Sequence, residues 1–358
     1  MASTSTPNQR HSRVNGTRSH RSNTIQQRSP DREEFTAQEV VMTDELRSHH
    51  TNTGNKLLNQ YEFMHKLGRG QHGEVFVAID AKKNIEVAIK AVKRKNPKID
   101  RMQQFRKKNL PSSPHTPVTE NLSSTEHKIR KEIAIMKKCR HPHVVQLLEV
   151  IDDRLSEKIY MVMEYLAGGE IKWRTTSDEP ALRVDQTRRI CRDVILGLEY
   201  LHHQGIIHRD IKPANLLWSA DRRMVKIADF GVSHFSYAQQ THLQSDTRDP
   251  ILMDDSDLSK FAGTPMFLAP EILSDTTEST ATDLDQLATA TTTGTSTTLT
   301  KKKQPITKAI DIWAFGVTLY ALLFGKLPFN AEGEYQIYSV IRTEDWDVPE
   351  TMGCDHIP

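Results

Sequence analysis

The sequence is poor in cysteine and has no apolar run long enough to cross a membrane. Its 358 residues include three widely separated cysteines, with no C-x-x-C pair or other metal-binding spacing. A reducing compartment is the simpler interpretation, so we expect a cytoplasmic protein that also has access to the nucleus. The longest apolar run, residues 312–324, is interrupted by Gly316 and Thr318 and is shorter than a bilayer requires. We therefore predict a buried helix there and no membrane span.

Neither sign of charge is in large excess. Lys and Arg together number 48 and Asp and Glu 46, which gives a formal net charge of +2. Such a balance provides no whole-chain argument for binding nucleic acid, and we expect no nucleic-acid partner. With 37% hydrophobic residues, the chain can hold one large domain or two smaller ones, together with extensions that are not globular.

Residues 1–55 have very few large apolar side chains and are rich in Ser, Thr, Asn, Gln, His and Arg. A segment with so little apolar surface to bury is predicted to be a disordered tail. Its first thirty residues contain five arginines and no acidic residue, a composition that superficially matches a mitochondrial transit peptide. The apolar face that such a peptide needs is missing, so a solvated regulatory tail is the preferred interpretation.

From Tyr61 onward the polarity alternates as in β-strands, and a turn rich in glycine interrupts the pattern. Residues 68–75 read GRGQHGEV. Glycine lets backbone N–H groups approach phosphate oxygens closely. The same spacing occurs in dinucleotide-binding folds, where the turn opens a helix, and in ordinary hairpins. Because strand-like residues resume at Val75, the sequence favours a turn between two strands.

A buried ion pair is predicted between Lys90 and Glu132. Lys90 ends a short apolar run, VAIK at residues 87–90, and on its own could equally be a surface lysine at the end of a strand. Glu132 falls inside the apolar stripe of a helix that we predict over about residues 125–138. A charge that faces a core is costly unless it is paired. An ion pair between the two residues would satisfy both.

Two acidic residues, Asp210 and Asp229, each follow a short apolar run that is typical of a strand. Asp210 lies in residues 206–217, IIHRDIKPANLL, and Asp229 lies in residues 225–231, VKIADFG. These segments match the H-R-D-x-x-x-x-N and D-F-G motifs of protein kinases, and the glycine-rich turn and the lysine strand precede them in the expected order. The sequence therefore resembles a eukaryotic protein kinase over about residues 61–345.

The resemblance implies an α+β, bilobal fold, with a kinase domain over residues 61–358. A small N-lobe of antiparallel sheet with one helix is expected over residues 61–163, and a mainly helical C-lobe over residues 167–358. We predict two insertions: a basic one at residues 94–123, which suits a plain solvated loop or a docking segment, and a Thr-rich, low-complexity one at residues 274–304. Kinases of this type continue into further helices, so we expect the C-lobe of this chain to be truncated, that is, incomplete at its C-terminus.

The resemblance also assigns roles around the loop of residues 208–215, called the catalytic loop from here on. Asp210 would orient the substrate hydroxyl and accept its proton late, because a carboxyl with an ordinary pKa of roughly 3.9 is a weak base toward an alcohol. Lys212 would neutralise the γ-phosphate of ATP. Thr264 would hydrogen-bond Asp210 and Lys212, as in serine/threonine kinases. Asn215 and Asp229 would bind Mg²⁺, which prefers oxygen ligands.

Further residues are expected to bind ATP or support the site. Lys90 would contact the α- and β-phosphates while paired with Glu132, Met163 would be the gatekeeper before the hinge, and Glu170 would meet the ribose. Asp311, near the start of the predicted buried helix, would anchor the backbone of the catalytic loop. The residues expected to bind ATP are Leu67, Gly68, Gly70, Gly73, Val75, Ala88, Lys90, Glu132, Met163, Glu164, Leu166, Glu170, Leu217 and Asp229.

Within the kinases, several segments are most similar to calcium/calmodulin-dependent protein kinase kinases and to their fungal relatives that activate AMP-activated-type kinases. They include the basic insertion, GTPMFLAPE at residues 263–271 and GGEIKWR at residues 168–174. The resemblance implies an ATP- and Mg²⁺-dependent serine/threonine kinase that acts on activation segments of downstream kinases in a signalling cascade. Calmodulin would be a partner only through a segment absent from this chain. The alternative is a catalytically impaired kinase fragment or a pseudokinase scaffold, which the expected truncation of the C-lobe raises.

Overall fold

A computed structural model describes residues 39–52, 54–70, 73–95, 124–240, 249–253, 262–273 and 306–354. Up to residue 164, these residues form a sheet with one long helix, and helices predominate beyond it. The predicted α+β, bilobal arrangement is therefore confirmed. Most of the two predicted insertions, together with residues 1–38, lies outside the described residues.

The N-lobe is an eight-stranded, mostly antiparallel sheet with the order β1-β7-β8-β6-β5-β4-β3-β2. Its central strand β6 is buried on both faces, because one face packs against a helix and the other faces a second apolar cluster. A strand that is buried on both faces is expected to have consecutive apolar residues rather than alternating apolar and polar ones. The strands are β1 Val41–Thr43, β2 Ser48–His50, β3 Lys56–Leu58, β4 Tyr61–Gly70, β5 Gly73–Asp80, β6 Ile85–Lys93, β7 Leu147–Ile151 and β8 Lys158–Glu164.

Two strands lie in a segment that was predicted to be part of a disordered tail. Strand β1 pairs in parallel with β7 at one edge of the sheet, and β2 pairs with β3 at the other edge. The prediction that disorder extends to residue 55 is therefore wrong for residues 41–43 and 48–50. Edge strands present unpaired N–H and C=O groups, and backbone pairing with them stabilises an added strand even when its side chains are polar.

The long helix described in the N-lobe, α1, spans Ser124–Lys138 and agrees with the predicted helix. Its apolar stripe, Ile129, Ile133 and Met136, is buried against the sheet. Lys137 and Lys138 occupy the last turn, where positive charge interacts favourably with the helix dipole.

The described part of the C-lobe is built around two long helices. Helix α4 is apolar over most of its surface and is the buried helix that the sequence predicted. It ends at Gly325, whose positive φ of 66° and close approach to Pro180 leave no room for a side chain. Among the described residues, none of the helices combines the length and apolar character that crossing a bilayer demands. The helices are α2 Val184–His203, α3 Pro270–Leu273, α4 Ala309–Phe324 and α5 Glu334–Thr343.

Short strands and 3₁₀ turns connect these helices and carry the candidate site. One small sheet has the order β12-β11-β9, and a second pairs β10 with β13. The catalytic loop leaves β10 and enters β11, so short pairings hold it at both ends. The strands are β9 Gly169–Glu170, β10 Ile206–Ile207, β11 Leu216–Trp218, β12 Val225–Ile227 and β13 His234–Phe235, and the 3₁₀ turns are Pro213–Asn215, Tyr237–Gln239, Pro250–Leu252 and Pro265–Phe267.

Candidate active site

A cleft of about 490 Å³ lies between the N-lobe sheet and the short strands of the C-lobe. Its volume is within the usual range for a site that binds a small organic ligand. Every residue predicted to bind ATP lines this cleft, with the exception of Gly68, which pairs with Val75 in the β4–β5 hairpin. The hairpin also agrees with the prediction that the glycine-rich turn joins two strands.

Six further residues line the cleft that were not in the set predicted to bind ATP or Mg²⁺. Met136 was placed only in the helix stripe, and Ala228 was seen only as the residue before Asp229. Ala214 lies inside the catalytic loop, Tyr165 and Gly169 are next to the assigned residues Glu164 and Glu170, and Val145 lies in a segment without a chemical motif. The six are Met136, Val145, Tyr165, Gly169, Ala214 and Ala228.

The predicted ion pair between Lys90 and Glu132 is present at the back of the cleft. Lys90 Nζ donates to Glu132 Oε1 at 2.6 Å, and their side chains are only 8% and 5% exposed. The same ammonium group donates to Asp229 Oδ1 at 3.2 Å. Burial opposes the charge of Lys90, but the two carboxylates outweigh it and raise the pKa of the ammonium group. Lys90 is therefore a fixed cation that joins strand β6, helix α1 and the segment after β12.

Asp229 is held in an unusual backbone conformation. Its φ is +64°, in the left-handed region that most residues avoid, and its carboxylate accepts a hydrogen bond from Gly231 N at 3.3 Å. The next residue, Phe230, is 1% exposed and packs edge-on against His208 with ring centroids 5.1 Å apart. Burial of Phe230 fixes the direction of the backbone, and the carboxylate of Asp229 is thereby aimed into the cleft.

Asp210, Lys212 and Thr264, which were predicted to act at the catalytic loop, lie together. Thr264 Oγ1 donates to Asp210 Oδ1 at 2.7 Å, and Lys212 Nζ donates to the same threonine oxygen at 2.7 Å. Lys212 Nζ also lies 2.8 Å from Asp210 Oδ2. Thr264 reaches this position from the segment that precedes α3, more than fifty residues along the chain, so its two hydrogen bonds tie that segment to the catalytic loop.

Asp210 is ionised at neutral pH in this setting. Burial alone would raise its pKa, but the hydrogen bonds from Lys212 and Thr264 and the positive charge of Lys212 hold the pKa below its ordinary value. Asn215 Nδ2 donates to the backbone oxygen of Asp210 at 2.8 Å and to its carboxylate at 2.9 Å. Since the amide nitrogen makes both bonds, the amide oxygen is the group that Asn215 can offer to a cation.

A buried carboxylate holds the catalytic loop from behind, as predicted. Asp311, in the first turn of α4, is 0% exposed. It accepts hydrogen bonds from His208 N at 2.8 Å and Arg209 N at 2.7 Å. His202 Nε2 donates to it at 2.8 Å. Arg209 has a φ of +69°, so the carboxylate stabilises a strained backbone next to Asp210.

The segment between the lobes is fixed by an ion pair that the sequence did not predict. Glu164 accepts two hydrogen bonds from Lys226 Nζ, each 2.8 Å long, and one from Gln146 N at 2.8 Å. Its side chain thus points away from the cleft, and the backbone of residues 164–166 is left to face the cleft.

Two other predicted ligands of ATP lie on either side of this segment. Met163, the predicted gatekeeper, belongs to β8 and pairs with Ala88 of the neighbouring strand β6. At the mouth of the cleft the carboxylate of Glu170 pairs with Lys172.

Similar proteins were found by comparison with known families and curated sequences. A model of the protein kinase domain matches residues 61–293. The serine/threonine-protein kinase ssp1 of Schizosaccharomyces pombe is 43% identical over 299 residues, which cover 84% of this chain and 38% of that protein. SNF1-activating kinase 1 of Saccharomyces cerevisiae is 44% identical over 305 residues, which cover 82% of this chain and 24% of that protein. The calcium/calmodulin-dependent protein kinase kinase of Caenorhabditis elegans is 35% identical over 302 residues, which cover 82% of this chain and 46% of that protein.

These alignments cover most of the chain, although the chain spans less than half the length of each of these relatives. The family model covers well over half of the chain and includes the glycine-rich turn, Lys90, Glu132, the catalytic loop and Asp229. The chain belongs to the protein kinase domain family.

Proposed function

We propose that this chain is a serine/threonine kinase that transfers the γ-phosphate of ATP to hydroxyl groups of a protein substrate. One observation carries the proposal: Asp210, Lys212 and Thr264 are hydrogen-bonded to one another at the same cleft that holds the Lys90–Glu132–Asp229 cluster. A carboxylate for the hydroxyl and two lysines for phosphate groups are the chemistry that phosphoryl transfer needs, because negative charge develops on the phosphoryl oxygens.

Asn215 and Asp229 would hold Mg²⁺. Both line the cleft, and they offer an amide oxygen and a carboxylate, the hard oxygen ligands that Mg²⁺ prefers. The donor set therefore fits this ion. When bound, Mg²⁺ supplies positive charge beside the β- and γ-phosphates.

The remaining residues bind and orient. Lys90, whose raised pKa keeps it charged, would contact the α- and β-phosphates. Lys212 would neutralise the γ-phosphate. Asp210 would accept the hydrogen bond of the substrate hydroxyl and, because its pKa is low, would take the proton only late in the transfer. Its main contribution is orientation of the attacking oxygen.

The type of residue that accepts the phosphate is inferred from the side chains around Asp210. Lys212 and Thr264 form a compact group around Asp210. By resemblance, this lysine and threonine accompany serine and threonine substrates, whereas tyrosine kinases typically place Arg or Ala near the lysine position. We therefore assign serine and threonine as acceptors.

Another kinase is the proposed protein substrate. One relative is named for activating SNF1, and another is named a protein kinase kinase. Together with the resemblance of residues 263–271, these names support the activation segment of a downstream, AMP-activated-type kinase as the target, in a cytoplasmic signalling cascade.

The test compares Asp210→Asn with a matched control, Asp221→Asn. Asp221 is an exposed carboxylate in the loop after β11, only eleven positions away. Transfer of radiolabel from ATP to generic substrates and to an inactive downstream kinase is measured with Mg²⁺, and ATP binding is measured separately by calorimetry. We expect Asp210→Asn to lose transfer by about 10³-fold or more while it still binds ATP, and Asp221→Asn to behave as wild type.

Two results would overturn the assignment. Full transfer by Asp210→Asn would place the chemistry elsewhere. If the wild-type chain binds ATP but transfers phosphate to none of the substrates, the pseudokinase scaffold is favoured.

A further inference from the structure

We propose that Val40 and Met42 are positioning residues for helix α1, and that they act on catalysis through the Lys90–Glu132 ion pair. The inference rests on the proposed function for its effect on activity, but its structural part stands on contacts alone. Neither residue lies in the cleft, and both belong to a segment whose sequence predicted only disorder.

The register of strand β1 places Met42 on the α1 side of the sheet, and Val40 lies two residues earlier, just before the strand. In β1, Val41 pairs with Glu149, Met42 with Val150, and Thr43 with Ile151. Successive side chains in a strand point to opposite faces, so Met42 shares the face of Val150, which belongs to the core cluster that includes α1.

Met42 and Val40 lie close to helix α1. Met42 lines a cleft of about 460 Å³ together with Arg130, Ile133 and Ala134 of α1. Val40 is 8% exposed and belongs to the same buried cluster as Ile129 and Ile133. Val41 and Met42 are each 49% exposed. Val40 is therefore the buried member of the segment, and Met42 is only half-covered beside α1.

The end of β1 is also joined to the first turns of α1 by polar contacts. Asp152 N donates to Thr43 O at 2.8 Å, directly after β7. The carboxylate of Asp152 pairs with Arg130 at 3.0 Å and with Arg94. Glu126 of α1 pairs with both arginines, at 3.0 Å for Arg94 and 2.9 Å for Arg130. The helix is thus tied to the sheet edge where β1 is added.

Movement of α1 is coupled to the cleft because Glu132 is part of the helix. Glu132 lies between Ile129 and Ile133, which belong to the same large buried cluster as Val40. Its contact with Lys90 is 2.6 Å long and buried, so an outward shift of the helix leaves two buried charges without each other. Weaker support from β1 should therefore raise the population of states in which Lys90 is misaligned.

The experiment compares Val40→Gln with Val41→Gln in the full chain. The two variants make the same chemical change in adjacent residues, one buried and one exposed. Hydrogen exchange of α1 amides and kcat/KM for phosphate transfer are measured. We expect Val40→Gln to speed exchange in α1 and to lower kcat/KM, each by about two- to thirtyfold, and Val41→Gln to leave both unchanged. Val40→Ile, which keeps the apolar contact, should restore wild-type values.

The Glu132→Gln background separates positioning from general loss of stability. If Val40 acts through the ion pair, Val40→Gln causes no further loss of kcat/KM in that background. An equal loss in both backgrounds, or faster exchange in α2 and β6 as well as in α1, would contradict the proposal, as would unchanged exchange in α1. A wild-type chain without transfer activity would refute the proposed function, and exchange in α1 would still decide the inference.

Discussion

The catalytic loop and helix α1 each bring a charged group to the cleft, and they are held there by different means. The loop is fixed from inside the C-lobe by Asp311, a fully buried carboxylate with three hydrogen bonds. Helix α1 is tied at its first turns by ion pairs whose side chains are 12–31% exposed, and Val40 and Met42 lie beside its outer face.

The difference indicates which half of the site can adjust. A buried network has no water to replace a lost partner, so the loop has a single arrangement of low energy. Partly exposed ion pairs can exchange with water at small cost, and α1 can shift without unfolding the lobe. We infer that the position of Asp210 is fixed by folding, whereas the Lys90–Glu132 contact is adjustable.

The largest expected effect follows from Asp311→Asn. The substitution keeps the shape but turns one accepting oxygen into a donor that faces N–H groups, so we expect a loss of about 3 kcal/mol or more in the free energy of unfolding. Denaturant unfolding measures it, with Asp345→Asn as the control at an exposed site. A loss below about 0.5 kcal/mol would show that the loop does not depend on its buried anchor.

Lys90→Met should affect activity more than stability. It removes the cation from the back of the cleft and leaves Glu132 buried without its partner, so we expect kcat/KM to fall by about 10²–10³-fold. Steady-state transfer assays check this value. The control is Lys95→Met, at an exposed lysine two residues after the end of β6. Equal effects of the two variants would refute the role of Lys90.

Arg94→Gln tests directly whether helix α1 is the adjustable half of the site. Arg94 pairs with Glu126 and with Asp152, so its loss should loosen the first turn of α1 and lower kcat/KM by only about two- to fivefold. The control is Arg47→Gln, which removes the exposed pair with Glu45. A loss as large as that of Lys90→Met would mean that α1 is as rigidly held as the catalytic loop.

The smallest effect concerns pH. The pKa of Asp210 is lower in the folded chain than the unfolded value of roughly 3.9, so its ionised form contributes stability that is present above that value and lost as pH falls through the folded pKa. The difference in unfolding free energy between wild type and Asp210→Asn should therefore stay constant from about pH 8 to pH 5. Urea unfolding across that range measures it, and a change of more than about 1 kcal/mol would contradict the lowered pKa.

Sequence reasoning identified the cleft better than it identified what supports the cleft. Residues such as Lys90, Asp210 and Asp229 stand out because charged groups at the ends of apolar runs need a chemical reason. The Lys226–Glu164 pair left no such signal, since two charged residues far apart in sequence look like ordinary surface residues. Strand β1 was missed because backbone pairing with a sheet edge depends little on side-chain type.

Phosphoamino-acid analysis tests the central claim most directly. The wild-type chain is incubated with radiolabelled ATP, Mg²⁺ and a downstream kinase that has been inactivated at its own catalytic aspartate. We predict label in phosphothreonine or phosphoserine of the activation segment, and none when Asp210→Asn replaces wild type. Label confined to phosphotyrosine, or equal label with Asp210→Asn, would contradict the roles given to Lys212, Thr264 and Asp210.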